Sequence, residues 1–298
     1  MKFYTLSPEC VPENQVLFPT MRPYFISQGH SFVERIEDCD IVLFDLHSRI
    51  SSYNIGDIHY LLSHEIPTAT FDEYDRGNMS SDQWPTPLTK QQWAIFESIN
   101  YSGSKSVHFC RLLDKTKTNY PKNLYPYEKP IIYEELPLNP DELFNREYDL
   151  FWYANSSPTR IAIAKAFQED GRFKCNFKIG EPKIPFENWL AECKKSKLFI
   201  KASAGGYSDE RLQALFSLSA MALERNDQLL ASPFTHLQNC INFDSPPTKK
   251  DLDTIYELLN DKHKLLSIYA NCYSFVKKNY SAEAFGKYYL EKITKHLL

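Results

Sequence analysis

The sequence predicts an α/β protein made of two doubly wound parallel-sheet domains. Three observations carry this: strand-length apolar runs alternate with helical patterns, the alternation stops in a Pro-rich stretch, and it then restarts. A chain of 298 residues is also about twice the usual single-domain length.

In the first half, Lys2–Leu6 reads as the opening strand, and a helix follows near Val16–Ser27. The run DIVLFD over 40–45 has the length and continuous apolarity of a strand buried on both faces. Ile55–Ser63 is the next expected helix, Thr68–Phe71 a short strand, Lys90–Ile99 a helix, and Ser106–Leu112 a further strand. Between Asp114 and Glu147 the pattern dissolves, with Pro121, Pro126, Pro130, Pro137 and Pro140. Long patternless stretches are uncommon inside compact domains. The expected organisation is therefore a domain over 1–114, a connection over 115–147 and a domain over 148–298.

The second half repeats the rhythm. Asp149–Ala154 is a strand, and Asn155-Ser156-Ser157-Pro158 supplies cap chemistry for a helix over Thr159–Asp170, which Gly171 closes. Phe173–Ile179 alternates as a strand, Phe186–Lys195 is amphipathic, and Leu198–Ala202 is again a strand. A helix from about Asp209 to Leu223 and short strands at Gln228–Ala231 and Cys240–Phe243 come next. The tail from Lys249 is helical, in two or three pieces.

Composition narrows the function. A net charge of −4 argues against a general nucleic-acid binder. Seven dispersed cysteines (Cys10, Cys39, Cys110, Cys175, Cys193, Cys240, Cys272) with no C-x-x-C pair fit reduced thiols rather than a disulfide framework or zinc site. The N-terminus lacks an apolar signal region and no run is long enough to span a membrane, so a soluble, cytoplasmic protein is expected. Peripheral membrane contact through Lys277, Lys278, Lys287, Lys292 and Lys295 is an option, although Glu283 and Glu291 interleave with them.

The stretch that carries chemistry is KLFIKASAGGYSDERLQALFSLSAMALERNDQLLASPF over Lys197–Phe234. A strand end, then Gly205-Gly206, then Ser208 opening a helix, suits an anion: the glycines admit a ligand to the backbone, and free helix N–H groups face it. Arg211 adds a bidentate donor for phosphate, and Lys201 stands at the strand end. The loop falls at the carboxyl end of a parallel strand, where doubly wound sheets bind ligands. The competing reading is a plain capped turn with Arg211 solvated. The motif is neither G-x-G-x-x-G nor a P-loop.

The order of strand, Gly-Gly, Ser-x-x-Arg-Leu, small-residue helix, strand and closing helical run resembles the second domain of GT-B-fold glycosyltransferases. The closest resemblance is to the exostosin-like and CgeB-like group (glycosyl transferases group 1). It covers about Asp149–Leu298, and the first half only in architecture. A Ser-x-x-Arg-x-x-Glu-Ala pattern of that group falls on Ser208, Arg211 and Ala214, so the Glu that commonly binds donor ribose or sugar has no match. Gln213, Glu210 or Glu224 are its possible substitutes. Phe151–Ser157 followed by Arg160 is similar to the opening strand and turn of such domains.

The resemblance implies two Rossmann-like domains facing across a cleft, with C-terminal helices crossing back. It implies transfer of a sugar, hexosyl or related, from a nucleotide-sugar donor to a hydroxyl of a glycan or cell-surface polysaccharide, with neither metal nor cofactor. Donor-binding candidates are Asn155, Ser156, Lys201, Gly205, Gly206, Ser208, Glu210 and Arg211. For inverting chemistry, Asp72 and Asp75 are the base candidates, with Asp45 and His47 as a second pair. Their plainer reading is turn capping. His236 is a weaker candidate for a donor phosphate contact. Three alternatives stay open: an inactive nucleotide-sugar-binding relative, an epimerase-like enzyme, and a phage-type DNA-base glycosyltransferase.

Overall fold

The computed structural model describes residues 1–6, 17–46, 54–72, 105–110, 113, 115–116, 120–128, 140–182, 184–202, 220–225 and 230–298. It divides into two compact units. Unit 1 comprises Met1–Ile132, Asp227–Ala231 and Ser281–Leu298, and unit 2 comprises Tyr133–Asn226 and Ser232–Tyr280.

Unit 1 winds β1 (Lys2–Leu6), α1 (Leu17–Ser27), β2 (Ser31–Phe32), β3 (Ile41–Leu46), α2 (Ile55–His64), β4 (Thr68–Asp72), β5 (Ser106–Cys110) and β6 (Leu124–Pro126). Its sheet runs β2-β1-β3-β4-β5-β6 with every described pairing parallel. β6 is a correction: it lies inside the stretch read as a connection. Pro126 masked it in the sequence, yet a proline is tolerated there because β6 is the last strand of the sheet order, where a missing N–H breaks no ladder.

Unit 2 runs α3 (Pro140–Phe144), β7 (Tyr148–Ala154), α4 (Pro158–Asp170), β8 (Cys175–Ile179), α5 (Phe186–Cys193), β9 (Ser196–Lys201), β10 (Ala220–Glu224), β11 (Ile241–Phe243), α6 (Lys249–Asn260) and α7 (Lys262–Tyr280). Its sheet order is β11-β10-β9-β7-β8, all parallel. The sequence reading is corrected at β10. The sequence pattern carries a helix through to Leu223 and sets the next strand at Gln228–Ala231, whereas Ala220–Glu224 is the strand. Short apolar runs such as AMAL satisfy both periods, and only pairing with β9 decides the matter. Leu230 and Ala231 are not in a strand.

The helix caps follow from local chemistry. Ser157 is extended (φ −153°) and its hydroxyl accepts from Arg160 N at 3.3 Å, with Pro158 opening α4. Gly171 closes α4 in the left-handed region at φ +74°. Thr248 and Asp251 form a reciprocal capping box at the start of α6.

The last helix, α8 (Ala282–Leu297), belongs to unit 1, so the chain does cross back. Its approach to α1 is close: a Cβ on Gly286 would lie 2.7 Å from Tyr24 Cδ1. Tyr289 sets its ring edge-on to Phe71 (5.2 Å) and Phe109 (4.7 Å) and is fully buried. α6 and α7 stay with unit 2, where Ile255, Leu258, Leu265 and Ile268 join the core under β7, β9, β10 and β11. Among the described residues no helix is long and apolar enough to cross a membrane.

Candidate functional site

The strand order of unit 2 places its topological switch between β7 and β9: from β7 the chain turns first to β8 on one side, then to β9 and β10 on the other. Loops diverge at the carboxyl ends of these strands and leave a crevice, the usual ligand position in doubly wound sheets. β7 ends at Ala154, β9 at Lys201 and β10 at Glu224, so three adjacent strands bring their ends to one rim.

Asn155 and Ser156 leave β7 exposed on that rim. The backbone there is tightly determined. Gly180, at φ +79°, donates its N–H to Ala154 O at 2.8 Å, and a Cβ on it would lie 3.1 Å from Ser156 Cβ. The left-handed backbone favours a glycine here, and a Cβ would in addition press on Ser156 where β8 ends. Tyr153 adds a hydroxyl bond to the carbonyl of Pro182.

Arg160 is not among the donor-binding candidates read from the sequence. Its Nη1 donates to Asn155 O at 3.0 Å, which holds the guanidinium across the first turn of α4. Among the described residues its Nε is buried without a hydrogen-bond partner. A cation held at a helix start beside two exposed polar residues suits an anionic ligand. The signal was present in the sequence as an Arg three residues after the Ser157 cap.

Lys201 closes β9 in register with Leu223 and is 4% exposed. Burial at this depth obliges the ammonium to have polar or anionic company. Glu224, offered as a substitute for the missing family Glu, closes β10 in register with Phe243 and is buried. Just beyond it, Arg225 is committed to structure: its N donates to Phe243 O at 2.7 Å, and its guanidinium meets Asp244 at 2.5 Å and Asp251 at 3.2 Å. Burial by itself raises the Asp251 carboxyl. Hydrogen bonds from Thr248 and from the backbone N–H of Asp244 and Thr248, with the Arg225 charge, bring it below the usual aspartate range.

His236 is occupied. Its Nδ1 accepts from Asn242 N at 2.8 Å, which satisfies a backbone donor of β11. Burial, with the nearby Arg225 charge, lowers its pKa and keeps that nitrogen available as an acceptor. Gly205, Gly206, Ser208, Glu210 and Arg211 lie outside the described residues, as do Asp75 and His47. Asp72 closes β4 of unit 1 in register with Leu46 and Cys110, at the carboxyl edge of that sheet, and Asp45 pairs with Phe71 within β3.

No family model and no curated protein matches the chain. Solved structures do. Anabaena HepE in complex with UDP superposes with a TM-score of 0.56 at 9% identity, over 99% of both chains. An alpha-glucosyltransferase in complex with UDP-glucose and DNA containing an abasic site gives 0.54 at 12% identity, over 98% of both chains. TarM, also solved from S. aureus, gives 0.56 at 12% identity over 85% of this chain, which spans about half (54%) of TarM's length. These neighbours are GT-B glycosyltransferases, and at such identities the likeness concerns the fold. Two parallel-sheet α/β units with helices at the C-terminus are the GT-B architecture, and this chain has it.

Proposed function

We propose that the protein is a glycosyltransferase moving a sugar, a hexose first among candidates, from a nucleotide-sugar donor to a hydroxyl acceptor on a glycan or cell-surface polysaccharide. The observation that carries this reading is the end-to-end likeness to HepE, solved with UDP and with UDP-glucose. UDP-sugars are accordingly the first donors to test. The rim of unit 2 supports the reading chemically, with Asn155, Ser156, Arg160 and Lys201 gathered around the switch point.

In this reading Gly205, Gly206, Ser208 and Arg211 complete the donor site, with Glu210 or Glu224 in place of the family Glu. Fixed donors facing the diphosphate stabilise the charge that grows on it as the glycosidic bond breaks. With cationic side chains in that role the chemistry needs no metal. Asp72 or Asp75 takes the acceptor proton if configuration inverts. Kinship with the exostosin-like and CgeB-like group, a cytoplasmic location and peripheral membrane contact belong to the same proposal.

The test is a thermal-shift screen against UDP, GDP, ADP and their glucose conjugates. A ligand that binds only the native state at 100 times its Kd adds about 2.7 kcal/mol of stability. The expected result is a selective shift with one nucleotide, lost in Arg211→Ala. No shift with any of them at millimolar concentration rejects the proposal.

One second reading has an observation behind it: the DNA-bound alpha-glucosyltransferase matches over 98% of both chains. A DNA acceptor predicts retention on duplex DNA that falls steeply with salt. The net charge of −4 speaks against it. Retention that is absent even at low salt removes it.

A further inference from the structure

α7 lies wholly within unit 2, and its buried side, with Leu265, Ile268, Tyr269 and Val276, fixes it there. Its other side is charged with one sign. The helix carries Lys262, Lys264, Lys277 and Lys278 and no aspartate or glutamate, in a chain whose net charge is −4. All four lysines are exposed. Asp261, just ahead of the helix, meets Lys264 at 3.3 Å and leaves that side chain 71% exposed, a surface pair of little strength. The neighbouring helices differ: α6 holds Asp251, Asp253 and Glu257, and α8 sets Glu283 and Glu291 among its lysines.

The arrangement has a length and a chemistry. Lys264 and Lys277 stand about 20 Å apart along the axis, at about 1.5 Å per residue. Between them Ser267, Asn271 and Ser274 are exposed and recur at the spacing of one helix face. Positive charge therefore brackets a row of hydroxyl and amide groups. The large apolar side chains exposed among the described residues are Ile26, Ile161, Leu237, Tyr256 and Leu298, and none belongs to α7. A helix that seats itself in a bilayer presents such side chains, and a surface that holds nucleic-acid bases presents aromatic rings. A hydrated chain of sugars bearing acid groups asks for neither.

We propose that the exposed face of α7 is a docking surface for a linear anionic glycan: the lysines at its two ends take the acid groups, and Ser267, Asn271 and Ser274 hydrogen-bond the sugar hydroxyls. The inference rests on the glycosyltransferase reading above and makes the acceptor polysaccharide an anionic one.

The experiment measures fluorescence anisotropy of end-labelled polygalacturonate, with neutral dextran as control, on the full chain at low ionic strength. Duplex DNA and phosphatidylglycerol vesicles are run beside it. One variant changes Lys262, Lys264, Lys277 and Lys278 to Gln. A second changes Lys105, Lys122, Lys174 and Lys194, four exposed lysines outside α7, and so has the same net charge. Gln and Lys have similar helix propensity, so the helix is kept.

Wild type is expected to bind polygalacturonate and not dextran, with affinity that falls as salt rises. The α7 variant is expected to lose about tenfold or more, while the second variant stays within about twofold of wild type. Should the fourfold variant fail to fold, Lys277→Gln with Lys278→Gln is expected to give a smaller loss in the same direction.

No binding of polygalacturonate by wild type overturns the proposal, as does an equal loss in the two variants. Tighter retention on vesicles or DNA, lost in the α7 variant, also overturns it and assigns the face to that partner. The donor reading is judged separately, by the thermal shift of the same proteins with UDP. A shift without polymer binding removes the docking surface alone. Polymer binding lost in the α7 variant, without a shift from any nucleotide, supports the docking surface and removes the donor reading.

Discussion

The two units wind their sheets in the same order but close their cores differently. Both begin with a strand flanked by the second and third strands in sequence. Unit 2 covers its sheet with helices from its own neighbourhood, as Phe167 of α4, Ile255 of α6 and Leu265 of α7 pack under one continuous core. Unit 1 borrows α8 from the far end of the chain, and that helix brings Phe285 and Tyr289 against Phe71 and Phe109. The difference teaches that a parallel sheet specifies that its faces be covered, but not by which part of the chain.

Removing 281–298 breaks the comparison most severely. The expected outcome is loss of protease resistance throughout unit 1 while unit 2 retains its protected fragments, read by limited proteolysis with mass spectrometry. Equal loss in both units contradicts the division into separately closed cores. The converse variant, Phe167→Ala, removes a fully buried ring from unit 2 and is expected to cost about 3–5 kcal/mol. Hydrogen exchange should accelerate around β7 and β8 and leave β4 and β5 protected.

A gentler probe of the α8 seam is Gly286→Ala. The added methyl meets the Tyr24 ring at 2.7–2.9 Å, so overpacking of about 1–3 kcal/mol is expected against a helix-propensity gain of about 1 kcal/mol. A lowered Tm in denaturation of the full chain checks it, and a raised Tm shows that α1 yields.

The smallest effect sharpens the unit 2 side. Asp251 has a depressed pKa when folded, so its contribution is fully present above the unfolded aspartate value of about 3.9. That contribution is lost as pH falls through the folded value. Asp251→Asn should therefore lower stability at neutral pH and flatten the acid limb below about pH 4, read from urea melts across pH.

Part of the site was legible because it is local. The Ser157 cap, Pro158 at the helix start and Gly171 at its end are neighbours in sequence, so propensity alone places α4 after β7. The same logic put Asn155 and Ser156 on the rim. The role of Gly180 was hidden, because its constraint comes from Ser156, 24 positions away, across two adjacent strands. Arg160 was visible as a residue, but its tether to Asn155 O required the turn to be built. His236 was legible only as a loop histidine, and its partner turned out to be the backbone of β11.

What the sequence by itself determined is the alternation of strands and helices, the start and end of capped helices, and the doubling of the pattern. These follow from side-chain period and cap chemistry within a few residues. Tertiary structure alone decided that Ala220–Glu224 is a strand, that Leu124–Pro126 extends the first sheet, and that α8 returns to unit 1. Each of these is settled by partners distant in sequence. An apolar run buries equally well in either conformation until a neighbouring strand offers its hydrogen bonds, and a helix with one apolar face is indifferent to which sheet receives it until shape and hydrogen bonding choose.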